Sequence, residues 1–291
     1  MKKLMIVLAA VACLVSCSTE PKRMFIIGLD GLGSAYLDSL EIPVLRGLMA
    51  DGTYTLHKRS VLPSSSAINW ASIFNGLPSE LHGYLRWNSE SPDLPCPYVA
   101  ENGSLPTVFS LMRAQKPESK IIGLYEWEGV KYCLDTLAFD EHRPTGSDNA
   151  VTTQAVIDCL VQEQPDLFYV HVDSPDHDGH SLGFGSPEYK AKIEELDGYL
   201  GQIFEALKEA GLYDDSIIVI VSDHGGNGKG HGKTSLQEME TPFILHGPGI
   251  RKGYEIPGLI MQYDVAATLA GILGLETPDF WRGRKIQLQA D

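Results

Sequence analysis

Met24-Phe-Ile-Ile-Gly-Leu-Asp30-Gly31 is the stretch on which the fold turns. Its apolar side chains do not alternate with polar ones, so the strand they form is covered on both faces, and it ends on an aspartate and a glycine. Working outward, runs of the same kind recur at 120–125, 167–172, 216–221 and 242–246. Helical periodicity fills the gaps, most clearly over 187–210 and 263–273. Apolar strands alternating with helices predict an α/β fold with a parallel sheet covered on both faces. In such a sheet the functional groups sit on loops at the carboxyl ends of the strands.

The chain has 291 residues, 43% hydrophobic and 21% charged, with 29 Gly and 17 Pro and no low-complexity tract. That composition excludes disordered, collagenous and coiled-coil classes. Its formal charge is -15, and -17 once the leader with Lys2 and Lys3 is removed. So acidic a body repels a nucleic-acid duplex, although bound cations would reverse the sign locally and admit a small anionic substrate.

Met1 to Cys17 pairs two lysines with an apolar run too short to span a bilayer and ends in Leu14-Val15-Ser16-Cys17, which reads as an export signal with a bacterial lipobox. The expected organisation is a leader over 1–17, a tether over 18–23 and one catalytic domain over 24–291, held in the envelope by lipid on Cys17. Cys96, Cys133 and Cys159 form no CxxC pair and read as free thiols. The stretch 88–104, with three prolines, reads as a surface excursion, a substrate cap being the other reading.

Three strand ends carry ligand-type residues: Asp30; Asp173, Asp176, His177, Asp178 and His180 after the 167–172 strand; and Asp223 and His224 after the 216–221 strand, with His231 close behind. Singly, each reads as a turn former or cap. Gathered on one sheet edge, so many carboxylates repel unless cations neutralise them, and the mixture of carboxylate and imidazole suits zinc, with manganese as a harder competitor. A serine cluster, Ser64 to Ser66, opens a helical stretch whose dipole favours an alkoxide or a bound phosphate, the alternative being a plain cap.

These residues, in this order, resemble the type I phosphodiesterase and nucleotide pyrophosphatase branch of the alkaline phosphatase superfamily over nearly the whole mature chain. The resemblance rests on Asp30, Ser66, Asn69, the segment Gly76-Leu-Pro-Ser-Glu-Leu-His-Gly83, Asp176 and His180 in Pro175-Asp-His-Asp-Gly-His180, Asp223-His224-Gly225 and His231. It implies an alkaline phosphatase-like three-layer sandwich with a mostly parallel central sheet. It also implies two zinc ions, one held by Asp176, His180 and His231 and the other by Asp30, Asp223 and His224. Ser66 reaches toward the second as the nucleophile that forms a phosphoryl- or nucleotidyl-serine. Ser66 and Ile68 stand where the branch usually has Thr and Pro. Asn88, one residue later than the pattern, is the nearest match to the Asn that holds a phosphoryl oxygen.

The remaining readings are structural for His82, His177 and Asp178, and orientation of a histidine ligand for Asp173. Trp70, Trp87 and Tyr84 are read as core packing or as stacking on a planar leaving group. Arg86 and Lys229 offer positive charge for a monoester. A small phosphoester substrate is expected, diester first and monoester second. A sulfatase lacks its C-x-P-x-R context here, and a non-catalytic zinc-binding lipoprotein would not need the hydroxyl.

Overall fold

The computed structural model describes residues 23–99 and 104–288, so the leader, Cys17 and the tether before Arg23 lie outside the described residues. Among the described residues nine strands form one sheet: β1 (Arg23–Leu29), β2 (Thr53–Arg59), β3 (Ile121–Tyr125), β4 (Glu141–Pro144), β5 (Leu167–Val172), β6 (Ser216–Val221), β7 (Glu240–His246) and the short β8 (Tyr254–Glu255) and β9 (Ile260–Met261). Their order is β4-β3-β5-β1-β6-β7-β2-β8, with β9 also on β2. The helices are α1 (Pro43–Ala50), α2 (Ser66–Asn75), α3 (Ser79–His82), α4 (Val108–Gln115), α5 (Asn149–Glu163), α6 (Asp176–Leu182), α7 (Pro187–Glu209), α8 (Leu236–Met239) and α9 (Asp264–Ile272). Among the described residues no helix is long and apolar enough to cross a membrane.

β1 lies near the middle of the sheet, paired in parallel with β5 and β6. Its side chains alternate between two cores: Met24 and Ile26 pack with α2, α4 and α9, while Phe25, Ile27 and Leu29 pack with α1, α5 and α7. The result is the three-layer sandwich, and the buried runs at β1, β5 and β6 follow from having helices on both faces. One expectation needs correcting. The run at 242–246 does not join in parallel, because β7 is antiparallel to both β6 and β2. The chain between β6 and β7 holds only the four-residue α8, too little for a crossover helix. The sheet is therefore mostly, not wholly, parallel.

The excursion after α3 folds back on the body: Asp93 and Leu94 donate their N–H groups to Gly83 O, and Tyr98 stacks on Phe280 with ring centroids 4.4 Å apart. Cys96, Cys133 and Cys159 are free. His82 is fully buried in its turn, with Nε2 on Ser72 Oγ at 3.0 Å and Nδ1 accepting from Tyr84 N at 3.1 Å. An accepting Nδ1 fixes a neutral ring, and burial pushes its pKa from 6.5 down to about 3. Because the folded value is depressed, the stability this neutrality supports is present above pH 6.5 and lost as pH falls toward 3. Carried through, the shift amounts to roughly 5 kcal/mol. Urea unfolding at pH 7 and pH 4 should show a shallower acid loss in His82→Gln than in the parent; equal slopes would refute this account.

Candidate metal centre

Asp30 follows β1 directly, and its N–H donates to Val172 O at 2.9 Å. Gly31 has φ 71°, and a Cβ there would fall 2.6 Å from Asp176 Cβ. Only glycine lets the end of β1 close on the first residue of α6. Asp223 and His224 leave β6 beside it, with Gly31 N on Asp223 Oδ1 at 3.1 Å. Ser66 is the first residue of α2, and the helix is aimed by Asn69 one turn on. Asn69 Oδ1 accepts from Val61 N at 2.8 Å, while its Nδ2 donates to Pro63 O at 3.1 Å and Ser65 O at 3.0 Å. The Ser-x-x-Asn spacing thus puts the residue that ties down the loop on the same helix as the hydroxyl the loop presents.

The seven side chains converge. Ser66 Oγ lies 3.1 Å from His224 Nε2, which is 3.2 Å from Asp223 Oδ2 and 3.5 Å from Asp30 Oδ1. Asp176 reaches His180 Nε2 at 3.3 Å and His231 Nε2 at 3.8 Å. Three buried carboxylate oxygens here, Asp30 Oδ1, Asp176 Oδ1 and Asp223 Oδ2, have no hydrogen-bond partner. All three histidines are held by Nδ1 against backbone carbonyls: His224 on Gly225 O, His180 on Lys229 O and His231 on Ser64 O, at 2.9, 3.1 and 3.0 Å. Nδ1 donates in each, which leaves the Nε2 lone pairs facing the orphaned oxygens. His180 and His231 even oppose their Nε2 atoms at 3.1 Å, an arrangement that needs a proton or a cation between them. Donor atoms on a tetrahedral zinc with bonds of about 2.0 to 2.1 Å stand roughly 3.3 Å apart, so the residues present fit such ions.

The electrostatics agree. Burial pushes Asp223 well above the usual carboxylate range, and the charges of Asp30 and Asp176 push it further. Asp176 is raised by burial and by Asp30. In Asp30 burial works upward too, but the hydrogen bond from His171 and the neighbouring histidines carry its pKa down to about 2. Burial holds the imidazole of His231 down at about 4, whereas the Asp176 hydrogen bond lifts His180 to about 9. Without added positive charge the cluster settles its repulsion by keeping protons on carboxylates.

Other residues fall elsewhere. Asn88 is exposed, and the carbonyl of the preceding Trp87 accepts from Ala67 N at 3.1 Å, beside Ser66. Asp178 accepts from Ser174 Oγ at 3.0 Å within its turn, and His177 is exposed. Arg86 is ion-paired with Asp93, and Lys229 Nζ donates to Ser181 O at 2.7 Å. Tyr84 is core, its hydroxyl on Tyr132 O at 2.8 Å. Trp70 is core as well, but its Nε1 also donates to Asp30 Oδ2 at 3.0 Å. The Asp30 carboxylate is held as well by His171 Nε2 at 2.9 Å. His171, buried within β5, went unread in the sequence, as did Glu126, which accepts from Asp173 N at 2.8 Å. Asp173 itself lies close to His171 and Asp30. One signal was on view. Gly28, opposite His171 in the sheet, is the gap in the apolar run that admits the Trp70 ring, since a Cβ there would meet it at 2.5 Å.

Solved structures share the whole architecture. A putative sulfatase from Bacteroides thetaiotaomicron superposes with a TM-score of 0.75 at 14% identity, covering 91% of this chain and 73% of its own. An inactive variant of murine ectonucleotide pyrophosphatase/phosphodiesterase 5, in complex with AMP, gives 0.72 at 16% identity over 91% of this chain and 97% of its own. At those identities the likeness shows the fold alone. In sequence, rat ectonucleotide pyrophosphatase/phosphodiesterase family member 1 is 24% identical over 93% of this chain and 32% of its own length. The chain thus spans about a third of that relative. The family model for type I phosphodiesterase / nucleotide pyrophosphatase matches residues 24–229, which takes in Asp30, Ser66, Asp176, His180, Asp223 and His224, and on that match the chain belongs to this family.

Proposed function

We propose that the protein hydrolyses phosphodiester or nucleotide pyrophosphate bonds with two divalent cations, zinc first and manganese second, and Ser66 as nucleophile. The observation that carries this is the convergence of three orphaned carboxylate oxygens with three oriented imidazoles and one hydroxyl. Asp176, His180 and His231 would hold one ion, and Asp30, Asp223 and His224 the other, on the side of Ser66. Such ions, when bound, neutralise charge on the phosphoryl oxygens and make the hydroxyl easier to ionise. Ser66, at the positive end of α2, attacks phosphorus; its Oγ–P bond forms as the ester P–O bond breaks, and the leaving group departs with a proton. Water then cleaves the phosphoryl-serine and restores the hydroxyl.

The surroundings favour a diester over a monoester. A monoester brings one more negative charge, and the two cations the sequence offered for it, Arg86 and Lys229, are engaged with Asp93 and Ser181 O. Asn88 stands by the nucleophile's helix as the proposed holder of a phosphoryl oxygen. Trp87, 57% exposed and stacked on Trp127 at 6.3 Å, offers a flat face to a planar substituent. Bis(p-nitrophenyl) phosphate, p-nitrophenyl phosphate and an aryl sulfate, tried on one preparation, test the reading. The diester should turn over fastest. Turnover of the sulfate alone, or of nothing by zinc-loaded protein, would sink it.

A separate proposal concerns the amino terminus: Cys17 carries lipid and anchors the protein in the bacterial envelope. Cys17→Ala should move the protein to the soluble fraction or leave it with an uncleaved leader, and unchanged partitioning and mobility would count against it.

A further inference from the structure

Lys58, in β2, is completely buried. Its ammonium donates to Ser222 O at 2.6 Å, Thr241 Oγ1 at 2.7 Å and Gln262 Oε1. None of these is a carboxylate, and an ammonium surrounded by neutral acceptors is expensive to bury where a methionine would fill the same volume. What the charge faces is the backbone of the loop that carries Asp223 and His224. Gln262 continues the contact, with Nε2 on Ser222 O at 3.3 Å and on Asp223 O at 2.6 Å, and Ser60 Oγ donates to Asp223 O at 2.6 Å. Two successive carbonyls at the end of β6 are thus gripped by side chains from β2, its following residue Ser60, β7 and the loop before α9. Fixing both carbonyls fixes the Cα–Cβ bond of Asp223, from which its Oδ1 meets Gly31 N at 3.1 Å and its Oδ2 lies 3.2 Å from His224 Nε2.

We propose that Lys58 is a positioning residue for the ion held by Asp30, Asp223 and His224: it locks the Ser222–Asp223 peptide in the orientation that delivers the Asp223 carboxylate. The inference rests on the metal-hydrolase reading above, and it assigns a function to a strand that supplies no ligand. It predicts an effect confined to one of the two ion positions, which general loosening of the fold would not give.

The test uses the full-length protein loaded with zinc, with the two affinities read by competition against a chromophoric chelator. In Lys58→Met one affinity should weaken by about tenfold or more, the range seen when groups supporting metal ligands are removed, while the other stays within about twofold. The kcat for the diester should fall with it, KM changing little, and excess zinc should recover part of the loss. Lys58→Gln, whose amide can still donate to Ser222 O, should fall between the two and carries the comparison if the methionine variant does not fold. Two parental affinities in a folded variant, or equal weakening at both positions, would overturn the assignment. Absence of any bound transition metal in the parent would instead strike the metal-hydrolase reading, before either variant is compared.

Discussion

Ser66→Ala should lower kcat for the diester by three to four orders of magnitude, roughly 5 kcal/mol in barrier at about 1.36 kcal/mol per tenfold, while bound metal survives. The size follows from what the hydroxyl does. It is the one side chain of the Ser64–Ser66 cluster within 3.1 Å of His224 Nε2, so on the proposed mechanism its loss would remove the covalent route and leave the ion-holding groups in place. The neighbours mark the contrast. Ser65 occupies the cap position of α2 but makes no side-chain cap bond, so Ser65→Ala should be close to silent. Ser64 Oγ donates to Lys233 O and accepts from Gly232 N, at 2.8 and 3.1 Å, so Ser64→Ala should loosen the His231 loop and weaken the affinity for one ion more than it slows chemistry. Ser66→Thr keeps a hydroxyl in the same place and should retain appreciable activity. Acid quench during turnover, followed by mass spectrometry, should find the phosphoryl or nucleotidyl group on Ser66; label on Ser64 or Ser65 would show the register to be wrong.

Removing the ions should be as severe. A strong chelator should abolish diester turnover, a loss of about a thousandfold or more if the ions contribute the several kcal/mol expected of charge neutralisation, and zinc should restore it. The fold should register the change too, because Asp30, Asp176 and Asp223 face one another across buried space with an oxygen each unpartnered. Ions that bind only the folded chain stabilise it by mass action, so the melting temperature should rise with zinc concentration. Elemental analysis should find close to two transition-metal ions per chain. Full activity with none bound would end the metal reading, whereas manganese in place of zinc would leave the arrangement standing.

The outline of this architecture was legible because its central strands are buried on both faces, and an unbroken apolar run such as Ser216–Val221 has no other comfortable place in a folded chain. The flanks were not. Thr53–Arg59 contains a lysine, a histidine and an arginine and reads as solvent-facing, since nothing in the sequence shows that Lys58 finds carbonyls to bond. Glu141–Pro144 is exposed along its length and pairs only at the sheet's edge, where charge and proline are what an edge tolerates. The direction of β7 was hidden for another reason: a strand buried on both faces looks the same whichever way it runs. At the site, aspartates and histidines on loops announced themselves by position, while His171 and Trp70, which clasp the Asp30 carboxylate from inside the core, look in sequence like ordinary packing residues apart from the gap at Gly28.

The place of β1 in the sheet has a consequence for how the chain is made. The first of the described strands to be synthesised sits between two that come much later, and the contacts that shape the site span 141 residues from Asp30 to His171 and 192 from Gly31 to Asp223. A nascent chain therefore carries an apolar strand open on both edges until β5 is made, and on one edge until β6 is made, and closing such long loops is slow. No fragment that stops before His231 brings all seven groups together, so neither half of the chain can serve as a working remnant of the other. Uptake of metal becomes a late event, and a measurement of bound ion is also a measurement of whether the sheet has been closed.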